Sequence, residues 1–264
     1  MAFVYLSKYL KRDSLDGLAS AELQAALKTV LAQPAAYEPW QAVLELLAAW
    51  PDGPERRAAL AQAQRALAAW PDDLRALSSR WAPLFDATGA SAVLGLAGVV
   101  QFHRHEDGAT VALSKLAESP HARHLHALEF DRCEIFTAGW KALASSSNLS
   151  GLQRLKIHNC SIAGGERALL LSAPLLRQLT SLQLTSLDLA DADVARLAQG
   201  GSFSKLRQLD LSRNTLGAPG VRQLLTARIL GAGARLTVRK SQISDADFAA
   251  LEREAAAAGV ALER

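Results

Sequence analysis

The amino-acid sequence predicts an α/β solenoid, in which short parallel strands alternate with helices, preceded by an all-α helical domain. Three observations support this prediction. A hydrophobic pattern returns every 27 residues, the segments between its copies show helical periodicity, and a block punctuated by prolines precedes the first copy. Half of the 264 residues are hydrophobic, which is sufficient for an extended core.

The repeated pattern begins near residues 125, 152, 179, 206 and 233. The first four copies carry Leu at positions one and four and an apolar residue at positions six and eleven, whereas the fifth has Gly233 at position one. Four equal intervals exclude chance. Because side chains alternate along a strand, positions four and six point into one core, and equivalent strands are expected to stack into a parallel sheet.

The segment after each copy returns the chain along the other face, with Ala and Leu at helical spacing. The predicted helices cover residues 138–146, 166–176, 191–198, 218–225 and 245–257. Upstream, residues 97–102 and 110–118 predict a degenerate entry repeat, and residues 259–262 predict a terminal strand. Such end units are expected because a repeat array needs caps on its apolar ends.

The copies resemble the leucine-rich-repeat signature LxxLxLxxN/CxL, which the fourth copy matches in full. The 27-residue length, the full helix in each unit and the segment 214–224 resemble the ribonuclease-inhibitor-like subclass. The resemblance implies strands on a concave face and helices on the convex side. It divides the chain into an N-terminal helical cap domain, residues 1–95, and a leucine-rich-repeat solenoid, residues 96–264.

The N-terminal block, residues 20–86, shows helical periodicity that is interrupted at Pro34, Pro51 and Pro71. Proline stops a helix, and the Asp residues after the last two breaks suit the start of the next one. We therefore expect four helices. The simplest interpretation is a cap that seals the apolar end of the solenoid, and a separate docking module is the alternative.

The ninth position of the copies holds Cys133, Cys160, Leu187, Asn214 and Ser241 in turn. An inward Asn at this position can hydrogen-bond to the backbone of the neighbouring repeat, with Cys and Ser as weaker substitutes, whereas Leu interrupts the series. Two cysteines are too few for a disulfide framework and lack the spacing of a zinc site, which favours a reducing cytoplasm. The abundance of Ala, Leu and Arg favours a bacterial gene.

Strand residues between the inward positions are expected to form a binding surface. They are polar, of mixed charge and without aromatic side chains, which is typical of a hydrated interface selected by electrostatics. Basic residues, Lys240 among them, gather in the fifth repeat, so we expect the partner to be acidic there. The predicted partner-binding residues are Glu129, Asp131, Arg154, Lys156, His158, Gln183, Thr185, Gln208, Asp210, Ser212, Arg235, Thr237 and Arg239.

All six histidines lie between His103 and His158, and five of them, including His105, fall within residues 103–126. We interpret this region as a solvated polar surface, with metal binding or pH sensing as the alternative. The sequence has no glycine-rich phosphate loop, GxSxG elbow or HExxH motif. We therefore expect no enzyme, with no catalytic residue, no cofactor and no metal.

The sequence thus predicts a non-catalytic protein–protein interaction module, a scaffold or regulator that binds a protein partner on the concave face. The resemblance implies one alternative, a regulator of a small GTPase or kinase, because ribonuclease-inhibitor-like repeats occur in eukaryotic GTPase activators. Nucleic-acid binding through the basic C-terminal repeats is the other, and the lack of a motif or of stacking aromatics argues against it. No transmembrane segment or secretory signal is expected, which favours a cytoplasmic location.

Overall fold

The computed structural model describes residues 4–10, 17–78, 81, 89–103, 109–200, 203–239 and 241–264. Its first four helices are α1 (Ser7–Leu10), α2 (Ser20–Leu31), α3 (Tyr37–Ala49) and α4 (Pro54–Leu67). α2 begins where the Glu22 carboxylate accepts a hydrogen bond from the Ala19 N–H at 2.9 Å. α4 begins at Pro54, whose missing N–H is not needed in a first helical turn. The predicted breaks at Pro34 and Pro51 are confirmed.

The prediction of a fourth helix, after Pro71, is wrong for the described residues. Asp72–Arg75 form a 3-10 turn, and Ala76–Ser78 form a strand, β1. β1 pairs in parallel with the next strand, with Ala76 opposite Val99. These pairings satisfy the backbone across the sheet, and they override the local helical preference of an Ala- and Leu-rich segment. The remainder of that predicted helix lies mostly outside the described residues.

In the described part of the chain, eight parallel strands form one sheet in chain order. The strands after β1 are β2 (Val99–His103), β3 (Ala127–Asp131), β4 (Arg154–His158), β5 (Ser181–Thr185), β6 (Gln208–Asp210), β7 (Arg235–Thr237) and β8 (Ala261–Glu263). From β3 to β7 the register advances by 27 residues per strand, as in the pairing of Leu128 with Leu155. The predicted entry repeat and terminal strand are confirmed as β2 and β8, although Leu262 pairs with Leu236 after 26 residues.

Helices follow the strands on the other face of the sheet, and each packs against the next. They are α5 (Ala109–Glu118), α6 (Thr137–Ser145), α7 (Gly164–Leu171), α8 (Asp191–Gln199), α9 (Ala218–Thr226) and α10 (Asp245–Ala257). α7 is shorter than predicted because Pro174 begins a separate 3-10 turn, Pro174–Gln178. The predicted α/β solenoid is confirmed.

In the turn that follows each of four strands, one residue adopts the left-handed conformation. Arg132, Asn159, Ser186 and Arg213 have φ of 54°, 50°, 55° and 57°, and they are 27 residues apart. The N–H of Arg132 donates to the His158 carbonyl at 2.9 Å, and each of the others donates in the same way to a carbonyl of the next repeat. The conformation is costly for Arg and Ser, so its recurrence indicates that contacts between repeats impose it. This turn brings the ninth position back toward the core.

A continuous core joins the N-terminal helices to the repeats. Trp40 on α3 is fully buried, and its Nε1 donates to the Ala76 carbonyl of β1 at 2.7 Å. Phe102 and Phe130 stack with ring centroids 4.7 Å apart across neighbouring strands. The boundary between residues 95 and 96 stays a prediction, and β1 lies on its N-terminal side. Among the described residues, no helix has the length and apolar character needed to cross a bilayer.

Candidate binding surface

The concave face consists of alternate residues of β3 to β7, which the strand register aligns into three columns. The intervening Leu residues are buried. The first column contains Ala127, Arg154, Ser181, Gln208 and Arg235; the second contains Glu129, Lys156, Gln183, Asp210 and Thr237; the third contains Asp131, His158, Thr185, Ser212 and Arg239. The structure thus places all thirteen predicted residues along the same columns.

Twelve of the thirteen predicted residues are partly or fully exposed, and Ser212 is the exception. Its relative exposure is 6%. The Ser212 hydroxyl accepts a hydrogen bond from the Arg239 N–H at 3.1 Å, and the Ser212 N–H donates to Asp210 Oδ1 at 2.9 Å. We therefore correct its predicted role: Ser212 joins the chain segments that follow β6 and β7, and it presents no side chain to a partner.

Two arginines of the first column are already paired within the chain. Arg154 Nη2 lies 3.2 Å from Asp73 Oδ1, on the turn before β1, and Arg235 Nε lies 3.0 Å from Glu263 Oε1, on β8. Exposed ion pairs of this kind contribute little stability. They do reduce the charge that these two arginines present to an incoming molecule.

Lys156, Gln183 and Arg239 differ from these arginines, because their side chains have no hydrogen bond or ion pair within the part of the chain that the structure describes. Lys156 and Arg239 are exposed, and Gln183 is half-buried between them on the sheet. A solvated cation without an internal partner is available for a charge-assisted hydrogen bond to a carboxylate. Lys156 and Arg239 are therefore exposed cations of the concave face that have no partner within the described residues.

A polar depression of about 450 Å³ lies around Lys156 in the first two columns. Asp73 forms one wall, and Gln101 lies at the β2 side, where its Nε2 donates to Glu129 Oε2 at 3.1 Å. The sequence-based prediction missed both. Gln101 was recognisable from the entry repeat, since it is in register with Glu129. The position of Asp73 beside the concave face could not be predicted, because the segment around it has helical periodicity.

The third column places Asp131, His158 and Thr185 on adjacent strands. The His158 Nδ1 and Thr185 Oγ1 atoms are 2.8 Å apart and share a hydrogen bond. The Asp131 carboxylate, however, pairs with Arg132 Nη2 at 3.0 Å, on its own loop. A nucleophile–histidine–acid relay requires the acid to orient the imidazole, and this column lacks that contact.

The ninth positions form a ladder of buried hydrogen bonds between repeats. Asn214 Oδ1 accepts from the Leu187 and Leu189 N–H groups at 3.0 and 3.2 Å. Asn214 Nδ2 donates to the Leu184 and Leu211 carbonyls at 2.7 and 2.8 Å. One side chain thereby satisfies four backbone groups of two repeats, which confirms the predicted role of this position.

The two cysteines repeat the same arrangement with weaker bonds. Cys160 Sγ accepts from the Cys133 N–H at 3.4 Å, and Cys133 Sγ donates to the Phe102 carbonyl at 2.8 Å. Both thiols are free and buried. Leu187 is also buried but has no polar atom to contribute, as its sequence position predicts.

The two thiols should be protected from thiol-specific reagents in the folded protein. The hydrogen bond to Cys160 and burial both raise the pKa of the Cys133 thiol, which disfavours the nucleophilic thiolate. The same hydrogen bond lowers the pKa of the Cys160 thiol, so the protection of Cys160 rests on its burial, which keeps reagents away from the sulfur. We expect negligible reaction with a chromogenic disulfide reagent until denaturant unfolds the repeats, and then modification of both cysteines. Rapid labelling of the native protein would contradict the buried ladder.

The histidine-rich segment does not assemble into one site. His103 ends β2, whereas His121, His124 and His126 precede β3, so the strand length of roughly 16 Å separates the two groups. His105 lies outside the described residues. Among the residues that are described, no three His, Cys, Asp or Glu side chains are arranged to hold a metal ion.

Comparison with known proteins finds a matching family model and similar solved structures. A family model described as Leucine Rich repeat matches residues 204–225. Solved structures also match, among them an internalin from Listeria monocytogenes, with 20% sequence identity and a TM-score of 0.38 over 67% of this chain. The match covers 50% of the internalin chain, so the present chain spans about half of its length. No curated protein sequence matches. With its 27-residue strand and helix units, the chain has the fold of a leucine-rich-repeat solenoid, and residues 204–225 match the family model.

Proposed function

We propose that the chain is a non-catalytic protein–protein interaction module, a scaffold or regulator that binds a protein partner on the concave face. The observation that supports this best is the continuous polar surface of twelve exposed or half-buried side chains on five adjacent strands. Repeat solenoids commonly use such extended concave surfaces for binding. The depression around Lys156 gives this surface a recess that can receive a side chain of the partner.

The finer features of the prediction belong to the same proposal. Helices of 8 to 13 residues after β4 to β7 support a ribonuclease-inhibitor-like subclass. The bond from Trp40 to β1 supports a helical cap over the first strand. Two free buried thiols support a cytoplasmic location in a bacterium. We do not propose a GTPase or kinase regulator or a nucleic-acid binder, because no described residue of the concave face favours either.

Reversing Lys156 and Arg239, which have no partner within the described residues, should abolish partner binding. We expect the double variant Lys156→Glu with Arg239→Glu to fold normally, because neither side chain has an internal partner. We expect it to lose a protein that the wild-type chain retains, since like charges meet across the interface. The measurement is affinity capture from a lysate of the source organism, followed by mass spectrometry and a binding assay with the purified protein identified.

The matched control is Arg196→Glu with Arg253→Glu, which makes the same change in net charge on two helices, α8 and α10. Both arginines are exposed and have no hydrogen bond or ion pair within the described residues. A partner retained by the control and lost by the concave variant supports the proposal. Equal retention by all three proteins would place the interface elsewhere and overturn it.

A further inference from the structure

A second charged surface lies on the edge of the sheet where the strands begin, apart from the concave face. We call it the strand-entry edge and define it by five exposed basic residues that precede β3, β5, β6 or β7: Arg123, Arg177, Lys205, Arg207 and Arg228. Because all strands of a parallel sheet run in the same direction, these segments lie side by side. The edge is therefore a row of cations across the repeats.

Three arginines of the strand-entry edge are oriented by backbone carbonyls rather than carboxylates. Arg123 Nε donates to the Pro120 carbonyl at 2.8 Å, and Arg177 Nε donates to the Gly200 carbonyl at 3.0 Å. Arg207 Nη1 donates in the same way to Ser204, at 3.2 Å. A neutral carbonyl holds a guanidinium in place but leaves its charge uncompensated, and the remaining N–H donors stay available.

Several arginines elsewhere in the repeats are paired with acids, whereas Arg196, Arg239 and Arg253 have no ion pair within the described residues. Arg132, Arg167, Arg222 and Arg235 each form an ion pair with an Asp or Glu at 3.0 to 3.2 Å. No such pair forms on the strand-entry edge within the described residues, because the sequence places no acid there. Asp and Glu are missing from residues 119–128, 145–155, 172–187, 200–209 and 226–244, although Glu118 immediately precedes the first of these segments.

The dipoles of the preceding helices account for only part of this row. Basic residues complement a helix C-terminus only within its last turn. Arg228 follows the end of α9 by two residues, and Arg123 and Arg177 lie in the last turns of the 3-10 segments Pro120–His124 and Pro174–Gln178. Lys205 and Arg207, in contrast, lie more than one turn beyond the end of α8 at Gln199. A row of like charges without acidic partners lowers the stability of the folded state through mutual repulsion. We therefore infer that these residues serve binding rather than folding.

We propose that the strand-entry edge binds an acidic protein segment in extended conformation. Strands are about 4.8 Å apart, so cations in adjacent or alternate repeats recur at about 5 to 10 Å. Carboxylates on alternate residues of an extended chain recur at about 6.6 Å, within that interval. The exposed large apolar residues of the described chain are Val4, Tyr37, Val111, Phe136 and Leu169, none of them on this edge. It therefore offers neither bases nor lipid tails an apolar contact.

The test is binding of a fluorescein-labelled peptide of alternating Glu and Ser, followed by fluorescence anisotropy at low and high ionic strength. We expect binding at low salt that weakens as salt rises. The triple variant Arg123→Gln, Arg177→Gln, Arg207→Gln should bind about tenfold more weakly, as expected for the loss of three exposed ion pairs. The control Arg57→Gln, Arg196→Gln, Arg253→Gln removes the same charge from exposed helix positions and should bind within about twofold of wild type.

Three outcomes would overturn the proposal. They are no peptide binding at low salt, equal weakening by both triple variants, and tighter edge-dependent binding of an oligothymidine or of phosphatidylserine vesicles than of the peptide. The variant Lys156→Glu with Arg239→Glu separates this surface from the concave face. It should keep most of its affinity for the peptide while losing the concave partner, so each proposal can fail without the other.

Discussion

Replacing Asn214 with alanine is expected to lower the free energy of unfolding by about 4 kcal/mol. The substitution leaves four buried backbone groups, two N–H and two C=O, without the partners that Asn214 supplies at 2.7 to 3.2 Å. Each unsatisfied buried group costs about 1 to 3 kcal/mol, and relaxation of the surrounding turn reduces the sum. Urea denaturation followed by circular dichroism measures the difference from the wild-type protein.

Asn159→Ala is the matched control for this substitution. Asn159 lies two repeats earlier in the turn after β4, where its side chain is exposed and forms no hydrogen bond within the described residues. Its φ of 50° makes alanine less favourable there, by about 1 kcal/mol. An Asn214→Ala effect no larger than that of Asn159→Ala would show that the ladder contributes nothing beyond local conformation.

The ladder could be predicted from sequence because the repeat fixes its geometry. Once the period is known, each ninth position must face the neighbouring turn, and the residue type there indicates how many hydrogen bonds it can form. Asn214, Cys133 and Cys160 follow that prediction in the order of their bonding capacity. The concave columns could be predicted from the sequence equally well, since side-chain alternation along a strand assigns each residue to a face.

Two other features had no signal in the sequence. β1 forms from a segment with helical periodicity because an unpaired sheet edge is available to it, and that edge exists only in the folded molecule. The Asp73 to Arg154 pair joins residues that are 81 positions apart, and it depends on the same strand. Ser212 differs from its column neighbours for a similar reason: β6 is short, and the chain after it turns the hydroxyl toward the next repeat.

The close backbone contact between repeats at Gly151 is another feature that the sequence did not indicate. Gly151→Ala should lower the free energy of unfolding by about 3 kcal/mol. A Cβ at this position would lie 2.2 Å from the Arg123 carbonyl oxygen and 3.2 Å from that of Leu125. Neither oxygen can rotate away, because both belong to the backbone that leads into β3. The clash therefore requires the first two full repeats to separate, which is typical of overpacking without side-chain relief.

Gly165→Ala is the corresponding control, because it makes the same chemical change in the first turn of α7, where a Cβ would meet no atom within 4 Å. Alanine there should leave stability unchanged or raise it by about 0.5 kcal/mol, through its higher helix propensity and the smaller entropy of the unfolded chain. Parallel urea titrations of both variants separate the two effects. If Gly151→Ala matched Gly165→Ala, the close approach of adjacent repeats would not be a constraint on the fold. A loss confined to Gly151→Ala would show that the spacing of the solenoid depends on a backbone contact at which only glycine fits.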